Sequence, residues 1–122
     1  MTENTCGTAL TPHGLSEDIT VNTVGFLMPG LECKVIDRDG KTCGRNETGE
    51  LVTQGWNIFQ GYVNEDTATS DCFTNDGFFK TGDLAIVRND EAIRFYNYPI
   101  KKELLRRICF LDCSTLLIMF TL

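Results

Sequence analysis

Asp76-Gly77-Phe78-Phe79-Lys80-Thr81-Gly82-Asp83-Leu84-Ala85-Ile86-Val87 sets a polar Lys-Thr-Gly-Asp element between two apolar runs. Aromatic and β-branched residues crowd the flanks, which therefore read as strands, and Thr81-Gly82-Asp83 reads as a tight turn between them. One carboxylate is thus placed beside a flexible glycine at the ends of two strands, where Asp83 can accept hydrogen bonds from the hydroxyls of a ligand. Further along, residues 84–88 and 92–96 read as two strands joined through Asn89-Asp90-Glu91. Upstream, residues 32–37 alternate polar with apolar, Asp39-Gly40 supplies hairpin-turn chemistry, and residues 50–54 form the next strand candidate. A short helical turn is predicted over residues 65–69, with Asn64 as its cap. The repeated plan of short apolar runs broken by Gly and Asp turns predicts a mainly β fold. Its form is a distorted antiparallel barrel-like or sandwich domain with short helices and a C-terminal hydrophobic segment.

With 122 residues, 42% of them hydrophobic, the chain fits one domain with a modest core. A net charge of -6, with no basic cluster outside residues 101–107, argues against binding a phosphate backbone, which requires many Lys and Arg contacts. The six cysteines form no C-x-x-C pair and no secretory signal precedes them, so scattered reduced thiols in a cytosolic protein are expected. Asn46-Glu47-Thr48 matches the glycosylation pattern but has no meaning without an export route. Asp37-Arg38-Asp39-Gly40 resembles part of a calcium loop, yet Val35 and Asn46 occupy positions where acidic ligands belong, and it reads as a hairpin turn. His13 is the only histidine and reads as an exposed loop residue. Neither of the glycine-rich phosphate loops G-x-x-x-x-G-K-[ST] and G-x-G-x-x-G is present, nor is a G-x-S-x-G elbow.

The order of short motifs carries more than any one of them. Met1-Thr2-Glu3, Val24-Gly25, Pro29-Gly30, Glu32-Cys33-Lys34-Val35-Ile36-Asp37, Gly49-Glu50-Leu51, Gly61-Tyr62, Asp76-Gly77 and Lys80-Thr81-Gly82-Asp83 follow one another along residues 1–97. This series resembles the distal part of the adenylation core in AMP-forming acyl-CoA synthetases. That superfamily also includes coumarate-CoA ligases, firefly luciferase and the adenylation domains of peptide synthetases. The resemblance implies use of ATP/AMP and Mg2+, with CoA as the acyl acceptor and a carboxylic acid as substrate. It implies that Thr2 contacts the α-phosphate, that Glu3 helps hold Mg2+, and that Asp83 accepts hydrogen bonds from both ribose hydroxyls. Phe95 falls where the family places a side chain against the nucleoside; core packing is the other reading of this residue.

The series also implies a division into residues 1–20, the end of a nucleotide-binding subdomain; residues 21–97, the barrel-like part with Thr-Gly-Asp; and a divergent tail over 98–122. Departures accompany the matches. The family's Gly-Arg falls on Asn97-Tyr98, or on Pro99-Ile100 in a shifted frame, and neither supplies the arginine. The phosphate loop, the acyl pocket and the C-terminal domain with the family's catalytic lysine have no counterpart here. The expectation is therefore a fragment of an acid-CoA ligase, inactive alone. A non-catalytic interaction module is the alternative, pairing with the missing parent domains or a full-length relative, or lying on a membrane through residues 108–122. That apolar stretch is shorter than the ~20 residues normally needed to cross a bilayer.

Overall fold

Adjacent apolar residues are buried together in the three long strands of the sheet, Val35 with Ile36, Leu51 with Val52 and Ala85 with Ile86, so both faces of the sheet are covered there. The computed structural model describes residues 1–5 and 7–96. In chain order these form a single 3-10 turn (Thr2–Asn4), β1 (Ala9–Leu10), α1 (Glu17–Asn22), β2 (Phe26–Leu27), β3 (Leu31–Ile36), β4 (Gly49–Gly55), α2 (Asp66–Asp71), β5 (Phe79–Val87) and β6 (Ile93–Phe95). β3, β4, β5 and β6 make a four-stranded antiparallel meander, with Val35 opposite Leu51 and Ala85 opposite Phe95. β1 and β2 pair separately, Ala9 facing Leu27.

The outer edge of β6 is not left bare. The Val24 N–H donates to the Ile93 carbonyl at 2.9 Å, and the Ile93 N–H donates to the Gly25 carbonyl at 2.8 Å. The segment entering β2 thereby satisfies backbone groups that a free edge would expose. The chain then turns at Pro29-Gly30, where Leu31 donates to the Met28 carbonyl, and continues as β3. The result is a curled antiparallel half-barrel, in line with the mainly β expectation. Its core is Val35, Leu51, Ala85 and Ile93, all at most 3% exposed, with Ala9, Leu27, Val87 and Phe95 packed against them. Burying a side chain the size of Leu51 or Ile93 contributes about 2 kcal/mol each.

Two expectations are revised and one element is added. Thr81-Gly82-Asp83 is not a turn between two strands; it lies inside the continuous strand β5. Val52 pairs with Lys80 and Glu50 with Leu84, so Thr81, Gly82 and Asp83 together oppose Leu51 as a bulge. Asn64 does not cap α2: Glu65 holds the N-cap position, and Asn64 sits at φ 60°, where its tolerance of left-handed backbone is what the chain uses. The short helix α1 was not foreseen. It follows Ser16, whose Oγ accepts from the Ile19 N–H at 3.5 Å, with Glu17 and Asp18 in its first turn. The Arg88 guanidinium fastens this helix to the end of β5 through Asp18 at 2.7 Å, and also pairs with Asp90 at 2.9 Å.

Asp37 closes the hairpin after β3 by accepting from the Asp39 and Lys41 N–H groups, both at 2.9 Å. Its carboxylate oxygen is engaged by backbone, as the hairpin reading requires. His13 is exposed, and Cys33, Cys43 and Cys72 are free thiols, the Cys33 thiol pushed up by burial. Among the described residues no helix is long and apolar enough to cross a membrane. Asn97, Tyr98 and the hydrophobic stretch 108–122 lie outside the described residues.

Candidate functional site

The bulge in β5 is what gives Asp83 its position. Gly82 takes φ 75°, a left-handed conformation natural to glycine, and its N–H donates to the Glu50 carboxylate at 3.0 Å. The Thr81 hydroxyl donates to the Leu51 carbonyl at 2.7 Å and accepts from the Asp83 N–H at 3.2 Å. The extra residues are thus pinned to β4. The Asp83 carboxylate enters none of the ion pairs among the described residues, so its oxygens remain available as acceptors.

Asp83 lines a cleft of about 450 Å³. Phe95, Leu51 and Ile93 form its apolar wall, Thr81 adjoins Asp83, and Met1 and Asn4 enter from the first turn of the chain. Phe95 is half-buried, packs against the core and also lines the cleft. The structure therefore brings Asp83 and Phe95 together. Thr2 and Glu3 stand apart from that wall, on the 3-10 turn whose ends, Met1 and Asn4, do line the cleft. Asn4 is 5% exposed and its Oδ1 has no partner, while its Nδ2 donates to the Thr8 hydroxyl at 2.6 Å.

The turn is held from behind by the loop after β4. The Phe59 N–H donates to the Glu3 carbonyl at 2.8 Å, and the Tyr62 hydroxyl donates to Glu3 Oε1 at 2.9 Å. The Thr2 hydroxyl reaches Glu3 Oε2 at 3.2 Å. Asn57 joins in: its Nδ2 donates to the Asn4 and Gly7 carbonyls, and its backbone carbonyl accepts from the Thr5 hydroxyl. An aromatic cluster anchors the loop to the sheet: Phe59 lies edge-on to Tyr62 at 4.9 Å and to Phe79 at 5.5 Å between ring centroids. Sequence reasoning passed over Asn57 and gave Tyr62 no role. A buried Asn in a glycine-bracketed loop has no local signature.

The Glu3 carboxyl is held below its ordinary range, first by hydrogen bonding to its own backbone N–H and then by the Tyr62 hydroxyl. The same bond pushes the Tyr62 phenol up to about 12. A depressed carboxyl stabilises the fold above its unfolded value and ceases to do so as pH falls through its folded value. A raised phenol stabilises the fold below its unfolded value, and that contribution is lost as pH rises through about 12. The bond thus acts throughout the neutral range. Tyr62→Phe is expected to remove one high-pH phase from the phenolate absorbance titration and to move the Glu3 carboxyl back toward its ordinary range. Survival of that high-pH phase would show that Tyr62 does not donate to Glu3.

Among the described residues no group of three or more His, Cys, Asp or Glu could hold a metal ion. Glu3 is one oxygen ligand, which suits a hard cation only where phosphate oxygens and waters complete the shell.

The sequence profile of the family described as "AMP-binding enzyme" matches residues 1–63. The chain is 35% identical over 107 residues to the acyl-CoA ligase azaF of Aspergillus niger, covering 87% of this chain and 20% of the relative. It is 41% identical over 92 residues to the luciferin 4-monooxygenase of Photinus pyralis, covering 75% of this chain and 16% of that protein. Among solved structures it superposes on apo MatB from Rhodopseudomonas palustris with a TM-score of 0.72 at 30% identity, over 78% of this chain and 18% of that one. The O-succinylbenzoate coenzyme A synthetase of Bacillus subtilis, in complex with AMP, gives a TM-score of 0.65 at 30% identity, over 78% of this chain and 19% of that one. The chain spans about 20% of the length of the first of these curated relatives.

Proposed function

This chain belongs to the AMP-binding enzyme family, and we propose that it carries the nucleotide-facing wall of an AMP-forming carboxylic acid-CoA ligase. The observation that carries the reading is the bulge that presents an unengaged Asp83 carboxylate in a cleft beside Phe95. In the parent reaction a carboxylate attacks the α-phosphate of ATP, giving acyl-adenylate and pyrophosphate. The thiol of CoA then attacks the acyl carbon, and AMP leaves with the bonding electrons of the acyl-oxygen bond.

In this reading Asp83 accepts hydrogen bonds from both ribose hydroxyls, Phe95 lies against the nucleoside, and the Thr2 hydroxyl donates to the α-phosphate. Glu3 is the residue that would help hold Mg2+, whose charge offsets that of the phosphates as pyrophosphate departs. The donor chemistry fits: a carboxylate held ionised by its own backbone N–H and by Tyr62 is a hard oxygen ligand. These groups bind and orient the nucleotide; the acid pocket and the remaining charge-stabilising groups belong to other parts of the enzyme. In this reading residues 1–20 correspond to the end of the nucleotide-binding subdomain and residues 21–97 to its barrel-like neighbour.

Two results are expected. The isolated chain shows no ATP-pyrophosphate exchange with common carboxylic acids, because it supplies one side of the site; exchange above background overturns that statement. It also binds adenosine weakly but about tenfold better than 2′-deoxyadenosine, a preference that Asp83→Asn abolishes. Equal binding of the two nucleosides by the unaltered chain, followed by NMR, would remove Asp83 from the ribose.

A further inference from the structure

The geometry points to Asn57 as the positioning residue for the phosphate-facing turn that carries Thr2 and Glu3. Asn57 does not line the cleft, and its side chain is 2% exposed. Its Nδ2 donates to the Gly7 carbonyl at 2.6 Å and to the Asn4 carbonyl at 3.2 Å. Its backbone carbonyl accepts from the Thr5 hydroxyl at 2.7 Å, while its Oδ1 has no partner among the described residues. One residue thus grips three successive points of the chain just beyond Glu3, from a loop some fifty positions away. Two donors directed at two carbonyl oxygens fix the orientation of the amide, because the flipped amide would set oxygen against oxygen.

The need for such a grip is visible in the turn. Thr2–Asn4 is a single 3-10 turn, too short to be stable by itself, and Thr5 follows it at φ 53°, an unusual conformation for a β-branched residue. Asn57 ties the end of this segment, while Phe59 and Tyr62 tie Glu3. The three partners occupy one short loop, and Asn57 is the member buried beneath it. Losing the amide donors leaves the Gly7 carbonyl without its partner and the Asn4 carbonyl with the Gly7 N–H alone, at the point where the turn must hold its shape.

The role assigned to Asn57 rests on the nucleotide reading given above, and the test separates the two. The full chain and its Asn57→Asp and Asn57→Ala variants are titrated with adenosine and with AMP in the presence of Mg2+, alongside amide hydrogen exchange. The unaltered chain should bind AMP roughly tenfold more tightly than adenosine. Both variants should lose that advantage yet keep their affinity for adenosine, since Asp83 and Phe95 stand on a different element. The Phe59 and Gly7 amides, bonded to the Glu3 and Asn4 carbonyls, should exchange at least about tenfold faster, with the β3–β5 amides unchanged.

A phosphate advantage that persists in both variants overturns the inference. So does a parallel loss of adenosine and AMP binding together with faster exchange throughout the sheet, which would make Asn57 a general stabiliser. If the unaltered chain shows no phosphate advantage, the reading of Thr2 and Glu3 fails. The exchange data then decide alone: local acceleration at Phe59 and Gly7 upholds the grip on the turn, and unchanged exchange there overturns it.

Discussion

Gly25→Ala is expected to destabilise the chain by about 3 kcal/mol or more, enough to leave a substantial unfolded population in a domain whose total stability is only ~5–15 kcal/mol. Two costs combine. Gly25 has φ 83°, which strains any residue bearing a Cβ, and a Cβ built there would lie 2.0 Å from the Leu10 carbonyl oxygen, 2.4 Å from its carbon and 2.7 Å from the Thr11 Cα. All three are backbone atoms, so no side chain can swing aside. Relief requires β1 to move from β2, or the Gly25 carbonyl to leave the Ile93 N–H that it accepts from at 2.8 Å. Either movement opens the half-barrel. Gly82→Ala is the internal control: Gly82 also has positive φ, at 75°, but nothing lies within 4 Å of its would-be Cβ. There only the conformational strain applies, about 1 kcal/mol. Urea unfolding of both variants should give well-separated midpoints. Equal midpoints would mean that the backbone contact at Gly25 relaxes without cost.

The second large effect belongs to Leu51→Ala. Leu51 is 2% exposed, sits in the core with Val35, Ala85 and Ile93, and also lines the cleft. Truncating it should cost about 2–5 kcal/mol, from lost apolar burial plus the void left behind. The site should suffer as well, because the Leu51 carbonyl accepts the Thr81 hydroxyl at 2.7 Å and so anchors the bulge bearing Asp83. Adenosine binding should therefore weaken even under conditions where the variant remains folded. Leu51→Met keeps most of the volume and should cost less than about 1.5 kcal/mol. Calorimetric melting of the two variants checks this. An Ala variant that melts with the Met variant would place Leu51 outside the cooperative core.

The two strands around the first hairpin were legible in the sequence. β3 and β4 fall on short apolar runs centred on Val35 and Leu51 and bounded by turn residues, and the Asp39-Gly40 hairpin follows from side-chain chemistry that needs no tertiary partner. Thr81-Gly82-Asp83 was located but misassigned. A polar triplet with glycine looks alike whether the chain reverses or merely bulges, and the difference is decided by Leu51 on the neighbouring strand. β1 and β2, two residues each, carry too little periodicity to be seen. The start of α1 was readable, since Ser16 is followed by Glu17 and Asp18, but its single buried residue, Ile19, gives no helical stripe. Of the candidate site residues, Asp83 and Phe95 were named through the resemblance carried by the series of motifs. Asn57 could not be picked out, because every group it grips lies fifty or more positions earlier in the chain.

The pairing of Val24 and Gly25 with Ile93 has a kinetic consequence. β3 to β6 meet in sequential order and can zip from neighbour to neighbour, whereas the contact that curls the sheet joins segments separated by most of the described chain. Loop-closure entropy delays contacts of that separation until the local ones exist. The wall where Val24 meets Ile93 and Phe95 is therefore a late product of folding, and a hydrogen-exchange pulse during refolding should protect the Ile93 amide after that of Cys43, which donates to the nearby Val35 carbonyl.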